Sequence, residues 1–139
     1  MSSQNLSNCF IVYLEDDPAS RKVMSLILEK AIGIHTYAIF ENSANFMEKL
    51  GTLASKPDIF LLDIHVVPHD GFEVLQMLRN DPLHCTATVI ALTASVMNEE
   101  VDKLRAAGFN GAISKPIDHR RFPNLLERIH NGEVVWSIS

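Results

Sequence analysis

The chain has 139 residues, 47% of them hydrophobic and 21% charged, a length and balance that suit one soluble domain with one core. Its formal net charge is −5 and its densest basic spot is Arg120-Arg121, which argues against nucleic acid as a direct ligand, because phosphate backbones are bound by surplus Lys and Arg. Two cysteines are too few for a disulfide framework, the polar start Met1–Asn8 lacks the character of a secretory signal, and no apolar run reaches the roughly 18 residues of a bilayer span, so a reduced, cytoplasmic protein without membrane contact is expected.

Cys9 to Leu14 (CFIVYL) is a nearly continuous apolar run, the pattern of a strand buried on both faces of a parallel sheet. Asp17-Pro18 then supplies an N-cap and a proline for the first helical position, Val23, Leu26 and Ile27 continue at helical spacing, and Gly33 closes the helix. Ile34 to Phe40 reads as a second strand, and Ser43 as the cap of a helix carrying Phe46, Met47 and Leu50. Asp58 to Asp63 (DIFLLD) is the third strand. A loop with Pro68 and Gly71 leads into a helix with Phe72, Val74, Leu75 and Leu78 that ends by Asp81-Pro82. Thr88 to Thr93 (TVIALT) is the fourth strand, Met97 to Ala107 the helix behind it, and Gly111 to Ser114 (GAIS) a short fifth strand before Lys115-Pro116. The last helix begins near Phe122–Pro123, because proline is tolerated only in a first turn, and ends near Gly132.

Five strands alternating with five helices predict βαβ units and one parallel sheet covered on both faces. Residues 9–131 form the expected domain, with 1–8 and 132–139 as tails. In the second tail, Val134, Val135 and Trp136 make an apolar cluster. Trp136 packs either on its own domain beside the last helix or against a second copy of the chain or a partner.

Polar residues gather where the apolar runs stop: Glu15, Asp16 and Asp17 after the first, Asp63 at the end of the third, Thr93 at the end of the fourth and Lys115 after the fifth. In an open α/β sheet, ligands bind beyond the carboxyl ends of the strands. Clustered carboxylates there repel one another unless a cation is present, and an oxygen-only set suits Mg²⁺. A carboxylate beside Mg²⁺ can attack a phosphoryl group, and a lysine and a hydroxyl can neutralise the transferred oxygens. Singly, each residue is as well explained as a cap, a turn residue or a solvated charge; their joint occurrence at successive strand ends carries the chemistry. Cys9 and Cys85 read as buried apolar residues. His35, His65, His69, His84, His119 and His130 show no metal-ligand spacing and read as surface or loop residues.

The segments IVYLEDDP (Ile11–Pro18), IFLLDIHVVPHDGFEVL (Ile59–Leu75), VIALTA (Val89–Ala94) and AISKPI (Ala112–Ile117) resemble the receiver domain of two-component response regulators, with Asp63 standing 30 residues before Thr93 and 52 before Lys115. The resemblance implies a flavodoxin-like doubly wound sheet of order 2-1-3-4-5. It further implies Asp63 as phosphoacceptor, Asp16 as a direct Mg²⁺ ligand, Glu15 holding the ion largely through water, and the backbone carbonyl of His65 completing the shell. Thr93 would bond the phosphoryl oxygen, Lys115 would pair with it, and the Lys115–Pro116 peptide would be cis. Asp17 remains a cap.

Two positions depart from the family pattern. Val67 stands four residues after Asp63, where the family has proline, and Pro68 follows; Ala112 stands three residues before Lys115, where the family has an aromatic ring. With alanine there, coupling to the face around the fourth helix and fifth strand must run through other groups or be weak.

The expected function is a single-domain response regulator, phosphorylated by a histidine kinase and acting through an unidentified output protein. It catalyses only its own phosphorylation and slow dephosphorylation. The alternatives are a phosphorelay intermediate serving a histidine phosphotransfer protein, or a receiver cut from a hybrid kinase. A haloacid-dehalogenase-like phosphatase shares Asp, Thr, Lys and Mg²⁺ but needs a second Asp two residues after its nucleophile; here that place is His65.

Overall fold

The computed structural model describes residues 6–94 and 97–137. Strands β1 (Ile11–Leu14), β2 (Tyr37–Phe40), β3 (Ile59–Asp63), β4 (Thr88–Thr93), β5 (Gly111–Ser114) and β6 (Val135–Ser137) form one sheet in the order 2-1-3-4-5-6. All neighbours run parallel. The helices are α1 (Pro18–Leu26), α2 (Phe46–Gly51), α3 (Gly71–Arg79), α4 (Asn98–Ala107) and α5 (Phe122–His130).

Every residue of β1 and β3 is buried, because alternate side chains feed two separate cores. Ile11, Tyr13, Ile59, Leu61, Ile90 and Leu92 meet Met24, Leu28, Leu126 and Ile129 from the α1 and α5 side. Val12, Leu14, Phe60, Leu62, Val89 and Ala91 meet Phe46, Leu75, Leu78 and Leu104 from the side of α2, α3 and α4. A sheet buried on both faces shows no alternation of polar and apolar residues, which is why its strands read as unbroken apolar runs.

Five of the six strands are the expected ones; the sixth is a correction. Residues 132–139 read as a tail, yet Val135–Ser137 adds to the edge of β5, in register Gly111↔Val135, Ala112↔Trp136 and Ile113↔Ser137. Gly111 makes this possible: a Cβ at that position would lie 2.3 Å from the Val135 carbonyl oxygen. Val135 is buried in the α1–α5 core, and Trp136 packs against the opposite one.

Smaller differences have local causes. The Asp17 side chain accepts from the Ser20 amide at 2.9 Å, as its capping role requires. The helix continues from Leu26 through a π-helical turn, Ile27–Ile32, to Gly33, whose φ is +89°. Gly33 and Ile34 both donate their amides back to the Leu28 carbonyl, so Gly33 caps the helix, Ile34 belongs to its closing turn, and β2 starts at Tyr37. Ser43 does not cap α2, which follows Asn45. Its buried hydroxyl instead donates to the His69 carbonyl at 2.6 Å and accepts the His69 amide at 2.7 Å. In the turn after α3, Asp81 accepts the amides of Leu83 and His84. That turn directs His84 inward, edge-on to Phe60, and leaves Cys85 exposed, the reverse of both expectations. No helix among the described residues is long and apolar enough to cross a membrane.

Candidate functional site

β1 is the point where the sheet changes direction: the chain passes from β1 to β2 on one side, then crosses back over β1 to β3 on the other. The crevice beyond the carboxyl ends of β1 and β3 is therefore where a doubly wound sheet binds ligands. Glu15 and Asp16 follow β1, Asp63 ends β3, Thr93 ends β4 and Lys115 follows β5. Glu15, Asp63 and Thr93 are buried, while Asp16 faces solvent.

The Lys115 ammonium binds two carboxylates at once, Glu15 Oε1 at 3.0 Å and Asp63 Oδ2 at 3.1 Å. The Lys115 amide donates to the Thr93 carbonyl at 2.8 Å, which ties the end of β5 to the end of β4. The Lys115–Pro116 peptide is cis, and so is Val67–Pro68. Asp63 Oδ1 accepts the His65 amide at 3.0 Å. Behind Asp63, Gly71 lets the start of α3 close on β3, since a Cβ there would stand 2.9 Å from the Ile64 Cα.

The electrostatics separate the two buried carboxyls. Burial and the neighbouring Asp63 push Glu15 above the usual carboxylate range. Burial also acts upward on Asp63, but hydrogen bonds from Glu15, the His65 amide and Lys115 outweigh it and hold that carboxyl low. Burial acts downward on Lys115, and its two carboxylate partners more than reverse this. A proton entering the cluster therefore goes to Glu15 first, and Asp63 stays an anion with its charge available for attack.

The donor set fits a hard divalent cation. Glu15, Asp16 and Asp63 each present a carboxylate oxygen within 4.8 Å of the others, and all-oxygen ligation with retained water is what Mg²⁺ prefers. Glu15 already accepts from Lys115, from the Tyr13 hydroxyl at 3.1 Å and from the Asp17 amide at 3.2 Å. With about four acceptor sites on a carboxylate, little capacity is left there for direct ligation. Asp16 and Asp63 are better placed for it.

Three contributors escape a reading of the sequence. Tyr13 belongs to an apolar run, and only its fully buried position below Glu15 reveals the hydroxyl's role. The Arg21 guanidinium holds the Glu15 carbonyl at 3.0 Å from the first turns of α1. Ser43 clamps the loop between Asp63 and α3 through His69. Tyr13 alone had a signal, as the one polar tip within CFIVYL.

Residues 11–127 match the family described as the response regulator receiver domain. The chain is 31% identical over 113 residues to the polar-differentiation response regulator DivK of Brucella anthropi, covering 81% of this chain and 88% of that protein. It is 27% identical over 127 residues to the signal transduction histidine-protein kinase BarA of Escherichia coli, where it spans 91% of its own length but 13% of the kinase. The chemotaxis response regulator CheY4 of Vibrio cholerae has the same fold, with a TM-score of 0.77 at 18% identity over 87% of this chain and 98% of that one.

Proposed function

We propose, from the premise that the chain belongs to the response regulator receiver domain family, that Asp63 is its phosphoacceptor and that Mg²⁺-dependent phosphorylation there controls binding to a downstream partner. The observation that carries this reading is the low-lying Asp63 carboxyl, held by Lys115 beside the acidic pair Glu15 and Asp16.

An Asp63 carboxylate oxygen attacks the phosphorus of a phosphohistidine on a kinase or phosphotransfer protein. The P–O bond forms as the P–N bond breaks, and the imidazole leaves with the electron pair. Asp16 and Asp63 would hold Mg²⁺ directly, the His65 carbonyl would complete its shell, and Glu15 would reach it through water; the ion supplies charge neutralisation for the carboxylates and the transferred oxygens. Lys115 then exchanges part of its pairing with Asp63 for a phosphoryl oxygen, and the Thr93 hydroxyl donates to another. Beyond its own phosphorylation and slow dephosphorylation the domain needs no further chemistry.

The similarity to a segment of a histidine kinase supports a second reading, in which the phosphoryl group passes on to a histidine phosphotransfer protein. Mixing the labelled protein with candidate histidine proteins separates the two: retention favours a binding switch, and transfer favours a relay. The phosphoacceptor assignment itself is tested with acetyl phosphate and Mg²⁺, followed by intact mass and site mapping. Wild type should gain one phosphoryl group on Asp63, Asp63→Asn should keep its fold and gain none, and Asp16→Asn should lose Mg²⁺-dependent labelling. A label mapped to any other residue would falsify the assignment.

A further inference from the structure

Ala112 has no side-chain torsion, so it cannot occupy the alternative rotamers from which a movable side chain is made. It is fully buried in β5, and its register partner in β6 is Trp136. Partners in a parallel pair carry their side chains on the same face, with strands about 4.8 Å apart. Ala112 and Trp136 accordingly pack into one cluster, together with Leu104 of α4 and Phe109. The guanidinium of Arg105, in the last turn of α4, lies over the indole at 4.8 Å from its centroid. One ring thus packs under α4 while its own backbone is bonded to β5.

We propose that Trp136 is the aromatic switch element of this domain: the ring that carries the state of Asp63 to the α4–β5 face comes from β6. The inference rests on the reading of Asp63 as phosphoacceptor. Thr93 ends β4 and pairs with Ser114, two residues beyond Ala112 on β5, so a pull on Thr93 toward a phosphoryl group is felt along β5 by the ring paired with Ala112, whose contacts with Leu104 and Arg105 pass it to α4. A ligand shifts only states that differ in free energy. A three-residue strand paired along one side is lightly held, and a cation–π contact with an exposed guanidinium is weak, so this ring can repack at low cost. β6 is nonetheless built into the fold, because Gly111 leaves the space its backbone needs.

Trp136 is the chain's one tryptophan, so emission excited at the red edge reads this ring alone. On adding beryllofluoride and Mg²⁺ to the full chain, emission should change in proportion to Asp63 occupancy, followed in parallel by fluorine NMR, and should stay flat in Asp63→Asn. Full occupancy with flat emission overturns the proposal. Failure to occupy Asp63 overturns the phosphoacceptor reading instead, and this inference falls with it. Amide shifts separate a transmitter from a bystander. In Trp136→Leu, beryllofluoride should still perturb Asp63 and Thr93, but the perturbation of α4 and β5 should be largely lost, and Trp136→Phe should restore it. Arg105→Gln, which leaves the apolar packing in place, should weaken the α4 response in the same direction. An α4 response unchanged in either Trp136→Leu or Arg105→Gln overturns the proposal.

Discussion

The Glu15–Asp63 pair makes the site sensitive to pH in a definite sense. Asp63, whose carboxyl is held low in the fold, contributes stability that is present above its unfolded pKa and lost as pH falls through the lower folded value. Glu15 runs the other way: its raised carboxyl contributes stability present at low pH and lost as pH rises through the folded value. The metal-free protein should therefore lose stability as Glu15 ionises, and Mg²⁺, competing with the same proton, should restore it. Thermal melts across a pH series should show a Mg²⁺-dependent gain that grows through the Glu15 titration, which lies above the ordinary carboxylate range. Replacing Tyr13 by Phe removes a donor that favours the ionised Glu15, so the onset of this gain should move to higher pH. The lost buried hydrogen bond should also cost roughly 0.5–1.5 kcal/mol, readable by urea denaturation. An onset that stays in place in Tyr13→Phe would remove Tyr13 from the site.

At the scale of elements, β6 is the part of the fold that departs from expectation, and Gly111 is the residue that permits it. A methyl group at 111 would press on the Val135 carbonyl, and overpacking of this kind costs about 1–3 kcal/mol. Gly111→Ala should lower the melting temperature and expose the amides of residues 135–137 to exchange, while labelling at Asp63 persists. Deleting residues 134–139 removes the buried Val135 side chain, worth about 1.5–3 kcal/mol when fully buried, and should destabilise the domain to a similar extent. A truncated protein with an unchanged melting temperature but an altered mass by light scattering would assign the segment to assembly with a second copy instead. The clamp between Ser43 and His69 belongs to this scale as well, since it couples the segment before α2 to the loop that follows Asp63.

For the whole molecule, the site lies at the carboxyl ends of the paired strands β1 and β3, so anything that relieves carboxylate repulsion there stabilises the entire cooperative unit. Mg²⁺ at about one hundred times its Kd should add about 2.7 kcal/mol, several degrees in melting temperature for a domain of this size. Asp16→Asn should abolish that gain while leaving the metal-free melting point close to wild type, because Asp16 is exposed. A full Mg²⁺ gain in Asp16→Asn would move the ion's ligands elsewhere.

The layout of the parallel sheet was legible in the sequence because burial on both faces leaves unbroken apolar runs, as in IVYL and IFLLD, and because Asp17-Pro18 and Gly33 mark helix ends by local backbone chemistry. The candidate site was legible for a related reason: polar and charged residues that interrupt such runs have nowhere to go but the strand ends, so Glu15, Asp16, Asp63, Thr93 and Lys115 announce themselves by position. What tertiary structure alone decided were matters of partnership at long range. Ser43 carries the signature of a cap but spends its hydroxyl on His69, 26 residues away. Tyr13 looks like core until Glu15 stands above it, and His84 looks like loop until the turn at Asp81 directs it inward. Val135-Trp136-Ser137 is too short to signal a strand by itself; it becomes one because the bare edge of β5, cleared by Gly111, offers it both hydrogen bonds and two cores to enter. Local propensity is written residue by residue, whereas the choice among competing partners depends on which of them the completed fold brings within reach.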